Sequence, residues 1–382
     1  MEADNKHDNH SSNTALKDGV NHSNLTPKAA MDDQVLDNAL RPKTFGEYVG
    51  QDKIKENLRI VIGAAKKRRE PVEHLLFHGP SGLGKTTLAY LVAKELGADI
   101  RITSGTALEK AGDVGSILTG LNDGDVIFID EVHRLNKAVE EVIYPAMENF
   151  KLDIVIGKGN SAKTLQIDLP RFTLIAATTK ISMLSAPFRS RFGVNFRLDF
   201  YNQEDIEEII SRSAHLLGVD IKKEAVKEVA LASRFTPRVA NRLLKRVRDF
   251  SQMNPVRGKT PLKEGSSADH AIAAGRTSNG MNDTYITAET AKSALKMLEI
   301  DDKGLEETDR KILLAIINNF DGGPAGLKSI AASISEEEST IEDVYEPYLM
   351  QMGFLARTPK GRIVTSRGFE HLGLKNNKPK LL

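Results

Sequence analysis

Five short apolar runs recur through the first half of the chain, at Leu75–His78, Ile100–Thr103, Val126–Asp130, Leu174–Thr178 and Val194–Leu198. Helix-length stretches separate them. Such runs predict a mostly parallel sheet covered on both faces, because a strand buried on two sides has no polar alternation. The pattern breaks once, where Leu152-Asp153-Ile154-Val155-Ile156 and Leu165-Gln166-Ile167-Asp168-Leu169 alternate around Gly157-Lys158-Gly159-Asn160-Ser161. That is a β-hairpin over 152–169. Beyond residue 200 the period becomes helical: Ile206, Ile209, Ile210 and Leu217 share one face, and Val226, Val229 and Ala230 share another. Thr236-Pro237 predicts a helix start with Thr as N-cap. Near the end, Ile341, Val344, Tyr345, Tyr348, Leu349 and Met352 predict one amphipathic helix, and Arg357 to Thr365 a two-stranded wing. Helices followed by such a wing predict a winged helix-turn-helix.

These boundaries divide the 382 residues into a disordered tail over 1–34, an α/β domain over 35–200, an all-α lid over 201–303, a winged-helix domain over 304–374 and a short tail over 375–382. The first tail is rich in Asn, Asp, His and Ser, and its scattered His7, His10 and His22 fit solvated residues better than metal ligands. Residues 254–284 read as a loop inserted into the lid. The 53 Lys and Arg against 52 Asp and Glu leave a net charge of +1, so a polyanion must be met by a local basic patch. The absence of cysteine excludes disulfides, Cys-ligated zinc and thiol chemistry. With no apolar run near the roughly 20 residues of a membrane span, the expected address is cytoplasmic, without a membrane.

The most specific chemistry lies between the first predicted strand and the following helix. Gly79-Pro80-Ser81-Gly82-Leu83-Gly84-Lys85-Thr86-Thr87 fits a phosphate-binding loop: glycines let backbone N–H groups close on phosphates, Lys85 reaches the β and γ oxygens, and the Thr86 hydroxyl suits magnesium. Val126–Glu131 is an apolar strand ending in two carboxylates. After a phosphate loop, Asp130 would hold magnesium through water and Glu131 would orient the attacking water. Thr178 and Thr179 end the next strand on the same sheet edge. Arg191, on a loop, is the kind of group that stabilises phosphoryl charge in a neighbouring site.

With the phosphate loop, Leu40-Arg41-Pro42, Asp130-Glu131-Val132-His133-Arg134-Leu135, Thr236-Pro237-Arg238, Gly322-Gly323-Pro324 and Glu342-Asp343-Val344-Tyr345-Glu346-Pro347-Tyr348, the chain resembles the RuvB family, bacterial Holliday-junction branch-migration ATPases of the AAA+ class. The resemblance runs from about residue 38 to 374. It implies a P-loop AAA+ domain with a parallel sheet, an all-α lid and a C-terminal winged helix, assembled as a homo-hexamer that uses ATP and Mg2+ to drive double-stranded DNA at four-way junctions. RuvA would be docked through the hairpin by Ile154, Ile156, Leu165 and Ile167, and the RuvC resolvase would act in the same pathway. The resemblance further implies that Leu40, Arg41, Gly82, Gly84, Lys85, Thr86 and Thr87 surround nucleotide and magnesium, completed by Glu148, Asn149, Phe150 and Tyr201. Thr179 is similar to the polar sensor, Arg191 to the trans-acting arginine finger and Arg238 to the lid sensor. Arg357, Arg362 and Lys360 lie in the wing that meets DNA.

The chain departs from the family's usual residues at Ser81, Lys180, Phe235 and Lys360, and around Glu336–Glu338 it lacks a basic contact. Charge supports the wing independently: residues 335 to 346 carry six acids and no base, whereas 356 to 369 carry Arg357, Lys360, Arg362 and Arg367 without an acid. Two other readings share part of this pattern. A clamp-loader or initiator ATPase shares the phosphate loop and finger, without a reason for this hairpin and wing; an ATP-switched DNA-binding regulator does not need Glu131 and Arg191.

Overall fold

The computed structural model describes residues 38–156, 163–254 and 285–375. The expected tail over 1–34, all but Lys375 of that over 375–382, the hairpin turn and nearly all of the 254–284 insertion lie outside the described residues. The chain divides into a unit ending at Arg41 and a second unit running from Pro42.

Five parallel strands form the central sheet, in the order β2-β3-β6-β1-β7: β1 is Leu75–His78, β2 Ile100–Ser104, β3 Val126–Asp130, β6 Thr173–Thr178 and β7 Val194–Arg197. Each matches an apolar run to within a residue or two. Between β3 and β6 lie β4 (Lys151–Ile156) and β5 (Lys163–Asp168), an antiparallel pair apart from the main sheet. Its register sets Leu152 opposite Ile167 and Ile154 opposite Leu165.

Two apolar clusters cover the sheet. One joins the helices Asp52–Arg68 and Lys85–Leu96 to Phe77, Phe128 and Ile175, and continues into the lid through Ile206, Ile210, Leu243 and Leu244. The other packs Ile127, Ile129, Leu174 and Phe172 under the helix Lys137–Asn149. Among the described residues the lid holds the helices Gln203–Leu216, Lys223–Leu231, Pro237–Met253 and Ala288–Met297, with a two-residue parallel pairing of Asp220–Ile221 and Tyr285–Ile286 that the sequence pattern does not reveal. Pro237 does open its helix, but the Thr236 hydroxyl donates to the Ser233 carbonyl rather than capping the first turn.

A third cluster is closed around Ile312, Ile316, Ile330, Tyr348, Leu349 and Phe369, with the wing formed by Leu355–Thr358 and Gly361–Val364. The single helix predicted over 341–352 is instead a π-helical turn, Ile341–Tyr345, followed by the α-helix Glu346–Gln351 with Pro347 in its first turn. The wider turn shifts the register. Val344, predicted on the buried face, is 55% exposed.

The lid meets this third cluster at Arg234, whose guanidinium pairs with the fully buried Asp309, donates to the Gly304 carbonyl and lies 5.3 Å from the Tyr348 ring centre. Burial raises the Asp309 carboxyl to about 6, against the opposing pull of Arg234 and with Glu306 and Asp301 adding to the rise. Arg234→Met should therefore lower stability by about 3 kcal/mol, because a buried acid loses its partner. Asp309 in that variant holds its proton to higher pH than the unfolded chain does, so stability falls as pH rises through that window. Thermal melts should show a larger deficit at pH 8 than at pH 5. An equal deficit at both would remove Asp309 from the explanation.

Candidate active site

The phosphate loop runs off the carboxyl end of β1, and its backbone is held from three directions. The Gly79 amide donates to the Thr178 carbonyl at 3.2 Å, and the Arg238 amide, at the start of a lid helix, donates to the Gly82 carbonyl at 3.4 Å. From below, the Tyr48 and Tyr201 hydroxyls lie 3.0 Å apart and each within 3.2 Å of the Leu83 carbonyl oxygen. Burial raises both phenols, Tyr201 to about 12, so they stay neutral donors. Tyr201 thus props the loop from the core. Gly84 must be glycine on two counts: its φ is +96°, and a Cβ would lie 2.7 Å from the Tyr48 oxygen. Gly82, at φ +81°, would press a side chain on Arg238.

From that loop the helix Lys85–Leu96 begins without a side-chain cap, which leaves its first amides to an anion. Lys85 Nζ donates to the Gly79 and Pro80 carbonyls, both at 2.8 Å. Its burial pushes the ammonium down to about 8, with Glu131 and Asp130 opposing the shift. Thr86 Oγ1 donates to Asp130 Oδ2 at 3.2 Å across from β3, and half-buried Thr87 follows it. This hydroxyl and carboxylate are hard oxygen donors of the kind Mg2+ takes.

Glu131 follows β3 in a left-handed conformation, φ 47°, a strained placement typical of functional turns. Gly105 makes room for it, since a Cβ there would meet the Glu131 carbonyl at 2.4 Å. Thr179 Oγ1 donates to Glu131 Oε2 at 3.2 Å, and His133 Nδ1 lies 3.2 Å from the same oxygen. The carboxyl ends of β1, β3 and β6 therefore bring together Lys85, Thr86, Asp130, Glu131 and Thr179. Arg238 joins them, its guanidinium donating to Ser81 Oγ at 3.0 Å; the departure to Ser at this position supplies the acceptor. Beside the loop opens a cavity of about 340 Å³, lined among others by Ser81, Gly82, Thr236, Arg238 and Tyr345.

Four expected residues lie elsewhere in this chain. His74, just before β1, donates from Nε2 to the Met147 carbonyl, meets Phe150 edge-on and has its own carbonyl bonded by the Gly193 amide. Glu148, Asn149, Phe150 and Arg191 consequently gather at the amino edge of the sheet, one strand length, about 13 Å, from the loop. Glu148, Asn149 and Phe150 do not complete the nucleotide surroundings of their own chain, because the helix carrying them returns to the opposite edge. Arg191 is held there by Glu148 at 2.9 Å and the Pro187 carbonyl at 2.6 Å, with its guanidinium 4.3 Å from the Tyr144 ring centre. Leu40 and Arg41 belong to the unit ending at Arg41.

In the wing, Arg357 is exposed and Lys360 is exposed, while Arg362 is buried against Glu346, 2.5 Å away, and faces Glu342 at 3.7 Å. This corrects the expectation that Arg362 offers its charge to DNA. The cross-strand register does set Arg357 opposite Arg362, but the acidic segment 342–346 folds onto that face. Lys180, beside the sensor, pairs with Asp343 of the same segment at 2.7 Å. On the hairpin, Leu165 is 49% exposed, Ile167 is partly buried against the sheet cluster, and Ile154 is placed by register alone; Ile156 pairs with Lys163. Sequence reasoning missed Tyr48, Gly105 and His133; only His133 carried a signal, as a polar residue within the Asp130–Leu135 motif.

Comparison with known proteins matches the three domains. A model of the Holliday junction DNA helicase RuvB P-loop domain matches residues 40–198, one of the RuvB AAA lid domain matches 201–273, and one of the RuvB C-terminal winged helix domain matches 302–373. The chain is 51% identical over 350 residues to the Holliday junction branch migration complex subunit RuvB of Chloroflexus aurantiacus, covering 92% of each, and 52% identical over 347 residues to that of Clostridium kluyveri, covering 91% of each. The solved Thermotoga maritima RuvB Holliday junction branch migration motor superposes with a TM-score of 0.74 at 45% identity, over 88% of this chain and 99% of that one.

Proposed function

We propose, from the premise that this chain belongs to the RuvB family, that it is the ATP-hydrolysing motor subunit of Holliday-junction branch migration. The observation that carries the reading is the split of its chemistry across the sheet: loop, carboxylates and sensor at one edge, Arg191 at the other. A motor whose Arg191 cannot reach its own phosphate loop is complete only when a second copy supplies one, which is the logic of a ring.

Within one site, the loop amides and Lys85 bind and orient the triphosphate. Glu131, held through Oε2, takes the proton of the attacking water. Thr86 and Asp130 would hold Mg2+, which would supply charge neutralisation to the triphosphate. Thr179 fixes the carboxylate, and Arg238 reads the loop from the lid. The neighbour's Arg191, with Glu148 to Phe150 beside it, closes the site. Six copies form the ring, RuvA docks on the hairpin around Leu165 and Ile154, and RuvC acts in the same cytoplasmic pathway. A synthetic four-way junction tests the reading: with RuvA and ATP it should be separated into duplex products. ATP binding without turnover favours the switched-regulator reading, and hydrolysis without movement of the junction favours the clamp-loader or initiator reading.

Arg357 and Lys360 meet the phosphate backbone. Changing either to Ala should weaken binding to all sequences alike and reduce the salt slope by about one. Arg362→Ala should instead lower the melting temperature of the winged helix, by stranding buried Glu346. An unchanged melt with a lowered salt slope would restore Arg362 to the DNA face.

A further inference from the structure

We infer that His133 is a positioning residue for hydrolysis, fastening the Glu131 carboxylate to the sensor strand. The inference rests on the reading of Glu131 as the base. His133 lies on the turn after β3, its side chain only 6% exposed. Its Nδ1 is 2.8 Å from Thr178 Oγ1 and 3.2 Å from Glu131 Oε2, while Thr178 Oγ1 also accepts the Lys180 amide at 2.9 Å. Only one arrangement of protons suits this set. An unprotonated Nδ1 would turn a lone pair toward the carboxylate oxygen 3.2 Å away, so Nδ1 carries the hydrogen, bonds the Thr178 hydroxyl with it and presents its positive edge to Oε2. Burial lowers the imidazole's pKa, with Glu131 opposing, which favours the neutral ring.

The consequence is geometric. Thr179 donates to Oε2 and the His133 Nδ1–H edge lies 3.2 Å from it, from adjacent positions tied to the end of β6, while among the described residues no such contact is made to Oε1. One oxygen anchors the base, and the other is left to the water. Because Thr178 ends a fully buried strand and neighbours the sensor, the base and the sensor move as one body through His133.

Asparagine and glutamine separate this role from packing, since the Asn amide reproduces Nδ1–H and the Gln amide lies nearer the position of Nε2. Steady-state ATP hydrolysis and ATP affinity would be measured for full-length His133→Ala, His133→Asn and His133→Gln, alone and combined with Glu131→Gln. We expect Ala and Gln to lose at least about 10-fold in kcat at unchanged KM and affinity, as small misplacement of a reacting group does. Asn should keep most of the wild-type kcat. In the Glu131→Gln background none of the three should matter. Wild-type kcat in the Ala variant, equal behaviour of Asn and Gln, or an equal loss with and without Glu131 would overturn the role. If Ala fails to fold, the Asn and Gln comparison decides alone. Wild-type turnover by Glu131→Gln itself would instead remove the base assignment, and this inference with it.

Discussion

Arg191→Ala should reduce ATP turnover in assembled rings by about 10³- to 10⁵-fold while each subunit still binds nucleotide, because an arginine supplied across an interface stabilises charge that develops only in the transition state. The side chain sits at the amino edge of the sheet, against Glu148, the Pro187 carbonyl and the Tyr144 ring. A four-residue strand separates it from the loop of its own chain. Mixing supplies the sharper measurement. Arg191→Ala subunits keep an intact phosphate site, whereas Lys85→Ala subunits keep the finger; where the two meet in the right order, one competent interface returns. Partial recovery of hydrolysis in mixed rings is the expected result. Well-mixed rings that show none would place the arginine's action within its own subunit, against the geometry.

Glu131→Gln should leave ATP affinity near wild type while kcat drops by about 10² to 10⁴, the range attributed to a positioned general base. The amide keeps the shape that the left-handed turn, Gly105 and Thr179 enclose, yet it cannot take a proton from water. Lys85→Ala separates the two functions from the other side. Its ammonium is already held near the loop carbonyls, so its loss should weaken binding itself. Nucleotide affinity measured beside turnover distinguishes these cases, and a Glu131→Gln protein that hydrolyses at the wild-type rate would transfer the base role to another group.

How much of this was legible in the sequence depended on how far apart the interacting residues lie. The phosphate loop, the Asp130-Glu131 strand end and the five sheet strands were readable because each is a local pattern whose chemistry is settled within ten residues. Antiparallel pairing at 152–169 was readable for the same reason. That Glu148, Asn149 and Phe150 stand away from their own phosphate loop was not readable, because nothing local says at which edge of the sheet a helix ends. Arg362 was misread because its partner, Glu346, stands 16 residues away, and a run of basic residues looks free until the fold brings acids to it. Val344 followed from a correct period applied through a π-turn that breaks it. Phe235 takes φ 53° where the resemblance gives glycine as usual, and it packs against the winged-helix cluster; the sequence marks the departure but not this use.

The three apolar clusters are unequal in a way that bears on descent. The sheet's first cluster passes into the lid without a seam, so nucleotide chemistry and lid can be inherited only together; a recombination break near residue 200 would tear one interior in two. The third cluster is closed on itself apart from Phe235, and a break near residue 302 would free it at the cost of a few polar correspondences, Arg234 with Asp309, Arg242 with Glu306 and Lys180 with Asp343 among them. Among related motors, the end that grips DNA is thus the part a lineage can trade, and a successful trade should be recognisable by a cation and an acid exchanged as a pair.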